Sequence, residues 1–378
     1  MSEENMYRTI YRDLLRKIRS GEFRCGDRLP TEKQLCEAFA VSRITVRHAM
    51  EMLVRDGVVT RIKGKGTFVA PGPVGREVPG PNAPARRQIG LVVPNFSDAF
   101  GAKMLKSIEH ACAQKGYDLV LRISWGDLEN ECAIIDDLRD CGLAGLIVQP
   151  VNGPRYNASL LRLILSESPV VVLDRRMPGV EACFVGTDNE ASTRRIVQPL
   201  FDLGHENIAF VSPPPLQTST LEERLHAFRA CFYERNRVPD ESYFFTNVRA
   251  TLPGQDREEI LREDLQNLAQ HLRAHPEITA VFASEYNVAW LVRCAAEAVG
   301  LRVPEDLSIV CFDMPTRFAQ GDEFTHVQQD EEGLGQKAVD LLLQRIADGP
   351  EFHPSILLPA AFIPGRSTAT PKATTRTA

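Results

Sequence analysis

The sequence predicts an α/β protein with a separate small α+β head, and three observations carry that prediction. From residue 88 to 368, short, continuously apolar β-rich runs alternate with helical periodicities. Residues 71–87, PGPVGREVPGPNAPARR, hold five prolines and three glycines, a composition that disfavours regular structure and reads as an exposed linker. Charge also divides at that segment: residues 1–70 contain 14 Lys+Arg against 9 Asp+Glu, and the remainder of the 44 and 50 leaves 30 against 41. A head of +5 is joined to a body of −11, so a polyanionic partner is expected for the head alone.

Each element of the head has its own signal. Ile10, Leu14, Leu15 and Ile18 recur at helical spacing, and Gly21 offers a stop. Thr31 and Gln34 form a capping-box pattern for a second helix with Leu35 and Phe39 inward. Ser42 is placed to cap a third helix, whose stripe Val46, Ala49, Met50 and Leu53 faces the core while Arg43 and Arg47 share an outward face. GVVTRI and GTFVA then read as a hairpin whose tip carries Lys63, Lys65 and Gly66. Helix, helix, turn, helix and basic wing make a winged helix-turn-helix over residues 1–70, and arginines near a helix N-terminus suit phosphate and guanine contacts.

These 60 or so residues closely resemble the DNA-binding domain of GntR-type regulators, through G-D-R-L-P-T-E, V-S-R-x-T-V-R with Ile44 at the variable position, and G-x-G-T-F-V. The resemblance implies base or phosphate contacts from Arg43, Thr45 and Arg47, a phosphate contact from Lys33, and insertion of the wing at Lys65 and Gly66 into the minor groove. Ile44 stands where the family often has threonine, suited either to a thymine methyl or to packing.

Along the body the order is strand IGLVV, helix, YDLVLRIS, helix, GLIV, helix, PVVVL, and then a second series through IAFVS, YFFTN, ITAVFAS and LSIVCFD. Runs apolar on both faces predict parallel, doubly wound sheets, and two such series predict two lobes with a cleft at the carboxyl ends of the strands. Asp98 follows the first strand, Asp174 and Arg175 follow PVVVL, and Asp313 follows LSIVCF. An aspartate at a strand end can equally cap the next helix.

Residues 88–368 are similar to the sensor core of LacI/GalR-type regulators and periplasmic sugar-binding proteins, through IGLVVPNFSDAF, VVVLDRR, VGTDNEAS, LFDLGHENIAFVS, EERLHAF, GLRVPEDLSIVCFD and LLPAAFIPGRST. The combination of head and body resembles that of arabinose-type repressors. The resemblance implies ligand contacts from Asp98, Phe100, Asp174, Arg175, Arg224, Asp313 and Gln329. Glu285 and Tyr286 replace the family's usual Asn-Asp, and one of its two ring-facing aromatics is missing near Phe100. A monosaccharide effector, repression relieved by that effector, and a homodimer on a two-fold operator are the family expectations; a non-sugar ligand is the alternative. The proline-rich linker is poorly suited to the hinge helix such regulators use.

Other functions find little in the sequence. G-x-x-x-x-G-K-[ST], G-x-S-x-G, H-E-x-x-H and G-x-G-x-x-G are absent, leaving only an unrecognised enzyme using the cleft carboxylates Asp174 and Asp313. His271 and His275 lack a third metal ligand and read as a solvated helix face, so neither metal nor cofactor is expected. Nine scattered cysteines without C-x-x-C suit a reducing cytoplasm, and no apolar run reaches membrane-spanning length. Residues 369–378 read as a disordered tail.

Overall fold

The computed structural model describes residues 3–19, 22–23, 26–55, 58–62, 66–69, 87–151, 153, 156–216, 218–255, 257–315 and 324–372. The chain divides into two compact units, Met1–Pro84 and Ala85–Ala378.

In the first unit, helices α1 (Glu3–Arg19), α2 (Glu32–Phe39) and α3 (Arg43–Arg55) precede strands β1 (Val59–Ile62) and β2 (Gly66–Val69). Thr31 and Gln34 make the reciprocal capping box at α2, satisfying two backbone amides that a helix start leaves orphaned. The Ser42 hydroxyl accepts from Thr45 N at α3. Ile10 and Leu14 of α1, Leu35 of α2, Val46, Ala49, Met50 and Leu53 of α3, and Val59 and Val69 of the hairpin enclose one core. The antiparallel register runs Val59↔Val69 to Ile62↔Gly66, and Arg28 adds a bridge to Phe68.

The second unit has two lobes. The first contains β3 (Arg87–Val93), α4 (Ala102–Gln114), β4 (Tyr117–Ile123), α5 (Leu128–Asp140), β5 (Gly145–Val148), α6 (Ala158–Leu165), β6 (Val170–Leu173) and β7 (Cys183–Thr187). The second contains α7 (Asn189–Asp202), β8 (Ile208–Val211), α8 (Ser219–Tyr233), α9 (Glu258–Ala274), β9 (Ala280–Ala283), α10 (Tyr286–Ala298), β10 (Ser308–Phe312) and β11 (Thr325–Gln328). Helix α11 (Glu331–Asp348) returns to pack on β5, β6 and β7 of the first lobe. Strand β12 (Ser355–Leu358) then joins the first sheet and β13 (Ala361–Ile363) the second.

The sheet orders are β12-β7-β6-β5-β3-β4, wholly parallel, and β13-β11-β10-β9-β8, parallel except for β13. Strands such as β5, β6, β9 and β10 are buried along their whole length because helices cover both faces, and each sheet has an apolar cluster on either side. The chain passes between lobes at Asp188, at Gln329–Asp330 and at Pro359–Ala360, so residues at these crossings border both.

Four expectations are corrected. YFFTN is not a strand: Phe245 makes one bridge to Val211, while Phe244 turns its ring onto Phe210 and Phe228. Residues Ala369–Lys372 are held rather than disordered, because Ala369 accepts from Ser308 Oγ at 3.2 Å, bonds His205 Nε2 at 2.9 Å, and Lys372 pairs with Asp306. His271 and His275 are not a solvated face. Their rings lie 4.9 Å apart, and His271 Nε2 bonds Tyr243 O at 3.1 Å. The expected linker also yields its last residue, Arg87, to β3.

Candidate functional site

The two lobes place equivalent aspartates at equivalent strand ends. Asp174 follows β6 and Asp313 follows β10, with φ of 64° and 59°, a region non-glycine residues rarely enter unless their surroundings hold them there. The hold is the same in both: Asp174 N donates to Val185 O at 2.7 Å and Asp313 N to Val327 O at 2.8 Å, each on the neighbouring strand. Gln149 Nε2 donates to Asp174 Oδ2 at 2.8 Å. Asp313 accepts from Gln329 Nε2 at 2.6 Å, Gln329 N at 3.0 Å and Gln328 Nε2 at 3.2 Å. Burial pushes the Asp313 carboxyl up to about 7, against the pull of Arg224 and these bonds.

Two guanidiniums stand among these carboxylates. Arg224, on α8, donates from Nε to Asn189 Oδ1 at 2.9 Å and from Nη1 to Ser284 O at 2.7 Å, and lies 3.7 Å over the Phe312 ring. Arg175 donates from Nη1 to Pro150 O at 2.9 Å, but its buried Nε has no hydrogen-bond partner. Burial lowers both guanidinium pKa values while the surrounding carboxylates raise them. Glu285 occupies the N-cap position of α10 without capping it, and its Oε1 is buried and unpartnered. Burial pushes the Glu285 carboxyl up, with Thr251, Arg224 and Arg175 opposing.

These groups enclose a cavity of about 170 Å³ bordered by both lobes, smaller than the roughly 300–1,000 Å³ of drug-sized sites. Of the residues expected to contact an effector, Phe100, Asp174, Arg175, Arg224, Glu285, Tyr286, Asp313 and Gln329 line it. Asp98 does not. The turn closed by Ser97 N donating to Phe100 O at 2.9 Å directs Asp98 to a separate depression with Lys103, Lys106, His110 and Glu332. Nor does Asp98 cap α4; Glu331 Oε2 accepts from Gly101 N there at 2.7 Å. Phe96 and Gln149, which also line the cavity, were absent from the sequence expectation. Gln149 follows GLIV as Asp174 follows VVVL, so the same strand-end rule identifies it, and Phe96 supplies a second aromatic beside Phe100.

In the head, Lys33, Ser42, Arg43, Ile44 and Arg47 are exposed along α2 and α3. Thr45 is not: at 7% exposure it sits inside the turn, its hydroxyl 2.8 Å from Ser42 Oγ. Position 45 falls at the core edge of the helix, where its hydroxyl makes a local bond at the turn. Ile44 is 81% exposed, which removes the packing alternative within the head. Gly66 opens β2 with φ 125°, and a Cβ there would lie 2.7 Å from Arg28 Nε, a cation the sequence expectation omitted. Lys63 and Lys65 lie outside the described residues.

Among the described residues, no group of three or more His, Cys, Asp and Glu is placed to hold a metal, and no helix is long and apolar enough to cross a membrane.

Residues 6–69 match the family described as "Bacterial regulatory proteins, gntR family", and residues 197–368 match the "Periplasmic binding protein-like domain". The arabinose metabolism transcriptional repressor of Geobacillus stearothermophilus is 28% identical over 346 residues, covering 90% of this chain and 91% of that protein. The transcription regulator CcpA of Lactococcus lactis has a crystal structure with TM-score 0.64 and 21% identity, covering 75% of this chain and 99% of its own. A LacI family regulator from Enterococcus faecium, solved with bound ribose, has TM-score 0.62 and 22% identity, covering 76% and 100%. At these identities the two structures speak to the fold alone.

Proposed function

From a chain that joins a gntR-family DNA-binding domain to a periplasmic binding protein-like body, we propose a transcriptional repressor whose operator affinity is set by a small molecule held between the lobes. The observation that carries the effector site is chemical. Arg175 Nε, Glu285 Oε1 and Gln329 Oε1 are buried around one cavity without hydrogen-bond partners. Buried polar atoms are rarely left so, and a polyhydroxylated ligand supplies both donors and acceptors to such groups. Phe96, Phe100 and Tyr286 offer apolar surface for a sugar ring. The ribose in the Enterococcus protein and the arabinose system of the Geobacillus relative favour that ligand class.

Arg43 and Arg47 are the proposed base and phosphate contacts, supported by Lys33 and the wing. Arg28 is added to them for its position beside Gly66. The protein acts as a cytoplasmic homodimer, two heads meeting two half-sites. An effector alters DNA affinity only to the extent that it favours one conformation. Groups at the lobe crossings provide that preference: Gln329 precedes α11 and bonds Asp313, and Asn189 opens α7 and bonds Arg224.

The test is a pair of variants. Arg47→Ala abolishes specific footprinting while leaving effector affinity intact, and Asp174→Ala keeps the footprint but removes its response to effector. Normal footprinting by the first, or normal calorimetric affinity in the second, overturns the corresponding assignment.

A further inference from the structure

Resting on the reading of the cleft as the effector site, we infer that its ligand is a polyhydroxylated primary amine, an amino sugar, whose ammonium group sits on Glu285. The pocket holds three carboxylates, Asp174, Glu285 and Asp313, against two guanidiniums. Both guanidiniums are anchored by protein acceptors. Arg224 gives Nε and Nη1 to Asn189 and Ser284 and stacks on Phe312, and Arg175 gives Nη1 to Pro150 O. The pocket therefore has one carboxylate more than it has guanidiniums, and Arg175 Nε, 4.0 Å from Asp174 Oδ2, makes no hydrogen bond.

What it presents instead is unmet acceptors. Gln329 is 5% exposed, with its Nε2 given to Asp313 and its Oε1 unpartnered. Glu285 Oε1 is equally buried and unpartnered. Asp188, Asp330 and Asp127 occupy the same N-cap position on their helices and accept a backbone amide from them, but Glu285 makes no such bond to α10. Its carboxylate borders the cavity beside Thr251, whose hydroxyl favours the ionised form. An ionised carboxylate accepts but cannot donate, so it is best met by a charged donor, which favours the ionised form against the burial that opposes it. A phosphate or carboxylate on the ligand would bring further negative charge to a site whose carboxylates already outnumber its guanidiniums. The aromatic surface and the remaining carboxylates suit the ring and hydroxyls.

The experiment is isothermal titration of the full chain with D-glucose, D-galactose, D-glucosamine, D-galactosamine, their N-acetyl derivatives and D-glucose 6-phosphate, each also tested for release of an operator fragment. The expected result is an amino sugar binding about tenfold or more tighter than both its neutral parent and its N-acetyl derivative. In Glu285→Gln that ratio falls to near one, with footprinting of the same variant reporting that it is folded. Should the variant not fold, the wild-type ratio of amine to N-acetyl derivative decides. Tightest binding by a neutral sugar that releases the operator overturns the ammonium assignment and leaves the effector reading standing. Tightest binding by the phosphate, or a ratio unchanged in Glu285→Gln, also overturns the assignment. Binding by no member of the panel overturns the amino-sugar assignment, and failure of D-ribose and L-arabinose as well overturns the effector reading.

Discussion

Replacing Ile44 by alanine isolates what an apolar side chain does on the exposed face of α3. Ile44 is 81% exposed in the head, so the folded chain gains little from it and loses little without it. Burying an isoleucine fully is worth about 1.5–3 kcal/mol, so covering its exposed fraction against a thymine methyl contributes about 1–2.5 kcal/mol. Ile44→Ala should weaken the preferred operator about 5- to 60-fold and narrow the discrimination between thymine and cytosine at one base pair. Fluorescence anisotropy on operators differing at single positions measures both effects, and a thermal melt checks that stability is kept to within about 0.5 kcal/mol. An unchanged operator preference with an intact melt would refute the methyl contact. A melt lowered by several degrees would mean that Ile44 supports the fold after all.

Arg224→Met should cost about 3–5 kcal/mol of stability, since it strands the Asn189 and Ser284 acceptors and the nearby carboxylates, and calorimetric unfolding measures it. With the Asp313 carboxyl raised to about 7 by burial, and Arg224 and Glu331 facing it, a ligand that donates to the ionised form binds more tightly as pH rises. Affinity should increase from pH 6 to about 7 and then level, and Asp313→Asn should flatten the profile. The sign for folding is opposite: the stability contributed by that bound proton is present below about 4 and lost as pH rises through about 7. Gly66→Ala forces a side chain into φ 125°, costing about 1–3 kcal/mol, and should weaken operator binding while leaving effector affinity unchanged. Operator affinity should fall steeply with salt, with a log-log slope near −0.9 per phosphate contacted, and Lys33→Ala should make that slope shallower by about one.

Local chemistry made much of this molecule legible in the sequence. The Thr31–Gln34 box, the inward stripe of α3 and the apolar strands follow from spacing, since a helix repeats every 3.6 residues and a strand covered on both faces is predominantly apolar. Asp174 and Asp313 were legible for the same reason: the first polar residue after a buried parallel strand emerges where the lobes face each other. Direction within a loop was not. Whether Asp98 or Phe96 turns into the cavity depends on the bonds that fold Ser97 to Phe100, and on Glu331, distant in sequence, relieving Asp98 of capping α4. Helical phase at Thr45 and the packing of His271 against Tyr243 are set in the same way by neighbours the local pattern does not contain. Sequence by itself determined which residue types reach the cleft and the exposed face of α3, because backbone periodicity dictates that. Only the tertiary structure decided which polar atoms remain unpartnered there, because a hydrogen bond between Gln329 and Asp313, or its lack at Glu285, depends on a few tenths of an ångström between elements far apart in the chain.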